Sequence, residues 1–196
     1  MEPIEALKGI GVDAGKVPHV VVTHLHYDHA GTLEHFPGAR FHLQEAEMAY
    51  ATGRCMCDEA MRLPFTADHV CQMVQRVYSG RVQFHEGDGE VVPGVTVHKC
   101  PGHSQGLQSV RVKTDNGYVV LASDAAHLYE NIEKRKPFSI TVNMEQTLRT
   151  YDKLAALGGG LKNVVPGHDP QVLKIYPAWK PETAGRVVRL DKGRIA

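Results

Sequence analysis

No stretch of this 196-residue chain holds 18 consecutive apolar residues, and its opening, MEPIEALKGIGVDAGKVPH, has no apolar signal region. A membrane-spanning helix and a secretory leader are therefore not expected, and a cytoplasmic location is. Cysteine is scarce. The four residues, at positions 55, 57, 71 and 100, are too few for the disulfide framework of a small secreted domain, and Cys55-Met56-Cys57 lacks the two-residue gap of a redox or zinc-knuckle pair. Free thiols are the expectation. An excess of charge is missing too: 22 Lys+Arg stand against 22 Asp+Glu, which argues against a disordered acidic tail and against a broad electrostatic grip on nucleic acid. With no internal repeat and no linker-like segment, the length predicts a single domain over residues 1–196.

What the chain has is histidine and glycine, 12 and 19 residues. Histidine is the usual metal ligand and the commonest acid or base near neutral pH, and glycine marks special backbone positions. The β-branched run Val20-Val21-Val22 predicts a buried strand. The segment His24-Leu25-His26-Tyr27-Asp28-His29-Ala30-Gly31 then sits at that strand's carboxyl end, where open α/β sheets place their ligand sites. A short helix is predicted before Pro37, a strand over residues 39–43, a helix over 44–51, and a loop or broken helix over 54–65. Thr66 is placed to cap a helix bearing Val70, Met73, Val74 and Val77. Strands are predicted at 82–85, 91–92, 95–99, 109–113 and 118–122, with turns at Pro93-Gly94 and Asp115-Asn116-Gly117. Asn143 caps a helix to Leu157 that stops at Gly158-Gly159-Gly160, Val164-Val165 is a further strand, and a last one is predicted over 187–190.

Spacings of two and three separate His24, His26 and His29, with Asp28 between them. A tight loop aims the first two imidazoles the same way and sets Asp28 and His29 further along, a donor set suited to borderline metals such as zinc. Three more segments repeat the arrangement of a ligand just beyond an apolar strand beside a small residue: Cys100-Pro101-Gly102-His103, Leu121-Ala122-Ser123-Asp124 and Val165-Pro166-Gly167-His168. Singly, His103 reads equally as a turn residue, Asp124 as a helix cap and His168 as a core histidine. Together they divide into His24, His26 and His103 for one ion, Asp28, His29 and His168 for a second, and Asp124 between them. Two such ions about 3.5–4 Å apart make hydroxide available as a nucleophile without a serine or cysteine. His19, His35, His42, His69, His85 and His98 fall outside the pattern and read as structural or solvated.

HLHYDH, then PGH, a strand-terminal Asp and GH, in that order over residues 24–168, resemble the signature of the metallo-beta-lactamase-fold hydrolases. His29 and Asp124 resemble the dinuclear hydrolytic branches rather than the true beta-lactamases, which carry Arg and Cys there. THLHYDHAG, CPGHSQGLQS, ASDAAHLYEN and PGHD are most similar to the N-acyl homoserine lactonase family. That resemblance implies an α/β fold, an αββα sandwich shortened at its N-terminus, because family members carry a hairpin and a strand ahead of the HLHYDH loop. It also implies two zinc-like ions, and hydrolysis of the lactone ring of N-acyl homoserine lactones with Asp28 beside the nucleophile. Where the family often sets a substrate-assisting Tyr, three residues beyond the bridging Asp, this chain has His127; His127 or Tyr129 is the expected donor to the substrate.

Met56, Met61, Leu63 and Phe65, followed by Met73, read either as an apolar wall for an acyl chain or as ordinary interior packing. The alternatives to a lactonase are another esterase of this fold or a glyoxalase II-like thioesterase, since selectivity lies in the cleft walls, and a truncated, non-catalytic metal-binding protein. The expected partners are a small ester or lactone and, as a homodimer, a second copy of the chain; nucleic acid and membrane are not expected.

Overall fold

The described residues, 3–195 of a computed structural model, gather around two hydrophobic cores, one in a unit that runs to Gly87 and one in a unit that starts at Asp88. The first unit carries a parallel sheet in the order β1 (His19–Val21), β2 (Arg40–Gln44), β3 (Val82–His85). Its helices are α1 (Pro3–Gly9), α2 (Tyr27–Ala30), α3 (Glu45–Ala51), α4 (Glu59–Arg62) and α5 (Ala67–Tyr78). Strand β2 lies in the middle of the order, and Phe41, His42, Leu43 and Gln44 are all buried. Burial on both faces is the normal condition of a parallel strand covered by helices, and Val70 and Met73 of α5 join Phe41 and Leu43 in one core. Thr66 does occupy the N-cap of α5, but it contributes its carbonyl, to His69 and Val70, and its side chain makes no capping bond.

A central strand with polar residues on it must satisfy them internally. Gln44 does so with a two-point clasp on Gly87, its Nε2 donating to the Gly87 carbonyl at 2.7 Å and its Oε1 accepting from the Gly87 amide at 3.0 Å. The histidines form a row across the three strands: His19 Nδ1 meets His42 Nε2 at 3.0 Å, and His42 Nδ1 meets His85 Nε2 at 3.0 Å. A neutral imidazole has one donor and one acceptor nitrogen, so three neutral rings satisfy both contacts. Burial, with the neighbouring His85, His19 and Arg40, lowers the His42 pKa to about 4.

The second unit carries a sheet in the order β4 (Gly89–Val92), β5 (Val95–Lys99), β6 (Gln108–Thr114), β7 (Gly117–Ser123), β8 (Val164–Pro166). The first four form an antiparallel meander turned at Gly94 and Gly117, whose φ angles of 86° and 103° suit glycine. Helices α6 (Tyr129–Glu133) and α7 (Met144–Gly158) lie on the crossover from β7 to its parallel neighbour β8, and α8 (Val172–Ile175) comes after it. Helix α7 starts as predicted, with Asn143 Oδ1 accepting from Gln146 N at 2.9 Å, and ends on left-handed Gly159. Its Tyr151 and Leu154, supported by Leu148 and Leu157, pack with Val120, Ala122 and Val164. The strand predicted over 187–190 is reduced to one bridge, Val188 with Ala178, and a 3-10 turn at Leu190–Lys192. Pro177 and Pro181 flank the partner segment and remove the amide donors a ladder requires.

Each unit is thus a sheet with its own helices, which is the α/β composition expected. Cys55, Cys57, Cys71 and Cys100 are free thiols, and no helix among the described residues is long and apolar enough to cross a membrane.

The histidine row makes stability depend on pH. His42 binds a proton more weakly in the fold than its ordinary value of 6.5. Its stabilising contribution is therefore complete above about pH 6.5 and is lost as pH falls through about 4, up to about 3 kcal/mol in all. Urea unfolding from pH 7 to pH 4 is expected to show that decline in the native chain and a flatter profile in His42→Leu. Identical profiles would mean that the row does not govern acid stability.

Candidate metal centre

In the first unit the HLHYDH segment starts just beyond β1, after Val22, whose amide still bonds to the His42 carbonyl at 3.0 Å. Leu25 is fully buried and belongs to the core. Extended chain alternates its side chains, so seating Leu25 downward sends its neighbours His24 and His26 the other way. The buried Glu47 of α3 holds this turn, its Oε1 accepting from the Leu25 amide at 2.9 Å. Glu47 was not legible in the sequence, where it reads as one more charge on a short helix.

The three rings then cluster. The centroids of His24 and His26 are 4.5 Å apart, and those of His24 and His29 are 4.2 Å apart. Thr23 Oγ1 lies 3.1 Å from His24 Nδ1, which turns Nε2 away from Thr23. Asp28, exposed on α2, sets Oδ2 3.4 Å from His29 Nε2. His26 rests edge-on against Phe65, at 4.7 Å, and Phe65 lines a cavity of about 500 Å³ together with Met56, Leu63, Val70 and Cys71. Of the apolar group singled out in the sequence, Met73 is core, Met61 and Leu63 are exposed, and Met56, Leu63 and Phe65 line this cavity.

In the second unit one carboxylate is the focus. Asp124 is buried at the end of β7, and three imidazoles meet it: His168 Nε2 at 3.1 Å from Oδ1, His127 Nε2 at 3.2 Å from Oδ2, and His103 Nε2 at 3.4 Å from Oδ2. His103 Nδ1 lies 2.7 Å from the Ile140 carbonyl, which can only accept, so the ring proton of a neutral His103 is on Nδ1. Its Nε2 then presents a lone pair to a carboxylate oxygen. A lone pair facing a carboxylate oxygen in a buried place is a pairing that a cation between the two favours. Imidazole nitrogens with a carboxylate are the donor set of a zinc-type ion, and a carbonyl behind a ligating histidine is the usual support for one. The residues present therefore fit such an ion.

The backbone is shaped closely around this carboxylate. Ser123 adopts φ of 49°, a left-handed conformation costing a non-glycine residue about 1 kcal/mol, and it turns the chain into Asp124. Gly167, beside His168, has no room for a side chain: a Cβ there would lie 2.9 Å from Asp124 Oδ1 and 2.9 Å from the Ser123 carbonyl carbon and oxygen. Gly102, at φ of 136°, is closed in likewise by the Thr147 backbone nitrogen, 2.6 Å from a built Cβ.

Tyr129, the alternative to His127 as a donor to substrate, starts α6 in this unit. Its amide donates to Asp169 Oδ2 at 2.9 Å, the Arg194 guanidinium lies 4.6 Å from its ring centre, and burial beside Tyr176 raises its phenol pKa. Asp169 also accepts from the Gln171 amide at 2.8 Å, so it anchors the backbone on either side of the site.

The family model described as "Metallo-beta-lactamase superfamily" matches residues 1–168. An N-acyl homoserine lactonase of Bacillus thuringiensis is 34% identical over 137 residues, 69% of this chain and 49% of the relative. One from Bacillus cereus is 34% identical over 181 residues, 90% of this chain and 66% of the relative. Among solved structures, an N-acyl homoserine lactone hydrolase with its product N-hexanoyl-L-homoserine at the catalytic metal centre is similar with a TM-score of 0.71 at 29% identity, covering 87% of this chain and 63% of that one. The chain thus spans about half the length of the B. thuringiensis relative.

Gly167→Ala tests the carboxylate's placement. Nothing about the backbone of Gly167 forbids alanine, so the effect is the steric one on Asp124 and Ser123. Zinc affinity, read by competition with a chromophoric chelator, is expected to fall about tenfold to a hundredfold with the circular dichroism unchanged. Unaltered affinity would show that Asp124 moves aside without consequence.

Proposed function

We propose, from the premise that this chain belongs to the metallo-beta-lactamase superfamily, that it is a dinuclear metal-dependent hydrolase that opens the lactone ring of N-acyl homoserine lactones. The observation that carries the reading is the buried Asp124 with three imidazoles directed at it, one of them with its proton committed to a carbonyl. The named activity of the relatives supports the substrate class.

In this reading His24, His26 and His103 would hold one zinc-like ion and Asp28, His29 and His168 the other, with Asp124 as the ligand common to the two sets. The motif order supports this division. Bound ions of this kind supply Lewis acidity for the lactone carbonyl and make hydroxide available near neutral pH. The chain's own residues do the rest. Asp28, an exposed carboxylate on a short helix, accepts a hydrogen bond from the attacking group and orients it. The Ile140 carbonyl holds the His103 ring at one rotation and one tautomer. The cavity beside Phe65, apolar apart from Glu59 and Arg62 and of a size that suits a small ligand, receives the acyl chain. His127, whose ring faces Asp124, is the residue of this pair that belongs to the reacting centre, in preference to Tyr129 beside Arg194.

Purified protein supplied with zinc is expected to open N-acyl homoserine lactones faster than thioesters or aryl esters, and to lose that activity on chelation. Asp124→Ala is expected to lower kcat/KM more than about a hundredfold and to reduce bound metal in both sites. Preferential turnover of a glutathione thioester would replace the lactonase reading with a thioesterase, and a metal-replete chain inactive on all three classes would leave a metal-binding protein.

A further inference from the structure

We infer that His127 is itself a metal ligand, and that His103, Asp124 and His127 form a divalent-cation site contained wholly in the second unit. The inference deepens the hydrolase reading and rests on its divalent-metal chemistry, not on its substrate. By the resemblance, this position is often a tyrosine; the chain sets an imidazole there instead, and imidazole is the better ligand for a borderline divalent ion.

The geometry matches that of a chelating set. Ligand atoms of the three side chains all lie within 4.8 Å of one another, and all three residues are buried. An ion bound at about 2.0–2.1 Å to each donor requires neighbouring donors roughly 3 Å apart. The separations from Asp124 Oδ2 are 3.2 Å to His127 Nε2 and 3.4 Å to His103 Nε2.

The donors also converge: His127 Nε2 and His103 Nε2 both lie against the same oxygen, Asp124 Oδ2, so one cation among the three would meet all of them. The His127 ring is also held in place by the rings around it. It is stacked on Phe138 at 4.2 Å and 18°, runs nearly parallel to His168 at 5.4 Å and 22°, and meets His103 edge-on at 4.8 Å. Two imidazoles and one carboxylate on one face leave the remaining coordination positions open, an arrangement that accepts Zn2+, Co2+ or Fe2+.

The test disables the first unit's ligands in the full chain, as His24→Ala/His26→Ala/His29→Ala, and titrates the stripped protein with Co2+. About one Co2+ per chain is expected to remain, with visible d–d absorption of a nitrogen- and oxygen-ligated ion, and adding His127→Phe is expected to weaken it at least about tenfold. In the background with an intact loop, His127→Phe is expected to alter the Co2+ spectrum as well, which keeps the test decisive if the triple variant folds poorly. A folded triple variant that binds no Co2+, or a His127→Phe chain whose affinity and spectrum equal those of its parent, would overturn the inference. Failure of the lactonase reading looks different: metal bound through His127, with no lactone turnover.

Discussion

A buried carboxylate ringed by imidazoles is the constraint on which the second unit is built. A lone ionised group in that position costs several kcal/mol, so its surroundings have little freedom. Ser123 accepts a left-handed conformation to turn Asp124 inward, Gly167 forgoes a side chain beside it, and the parallel pairing of β7 with β8 brings Asp124 and His168 to the same end of the sheet. Each feature is neutral or unfavourable on its own. Together they are what a preorganised cation site requires, since the strain is borne by the fold rather than at the moment of binding.

The first unit meets a different difficulty, that of standing four polar side chains on the rim of an apolar core. Its answer is alternation around an anchor. Leu25 is driven fully into the core, Glu47 caps the amide of that same residue, and the flanking imidazoles are left on the opposite side. Phe65, which arrives from the segment before α5, closes against His26 and ties the metal loop to the apolar cavity. The HLHYDH loop and the apolar cavity therefore share a structural element.

Histidine serves two opposed purposes in this chain. In the row His19, His42, His85 the rings satisfy one another as neutral groups, and burial makes a charge on His42 unfavourable. Around Asp124 the same side chain faces an anion and invites a cation. The difference lies in what stands opposite each nitrogen, another imidazole or a carboxylate, and it sets whether a site resists protons or gathers positive charge.

The order of the strands from β1 to β8, the strand-end positions of His24, His103, Asp124 and His168 and the boundary of α7 at Asn143 were legible in the residues alone, because they arise from local causes: β-branched runs, alternation, glycine at turns and a side-chain cap. The strand expected over residues 187–190 was not, since a strand exists only through a partner, and here the partner is flanked by prolines. For the same reason the roles of Glu47, Ile140 and Gly167 were hidden. They act through contacts made 22, 37 and 43–44 residues away in the chain, to Leu25, His103, and Asp124 and Ser123. His127 and Tyr129 stood as alternatives in the sequence, two residues apart. Their surroundings are a matter of tertiary structure: the helix that begins at Tyr129 sets its ring beside Arg194 and Tyr176, while His127, ahead of that helix, keeps its imidazole on Asp124.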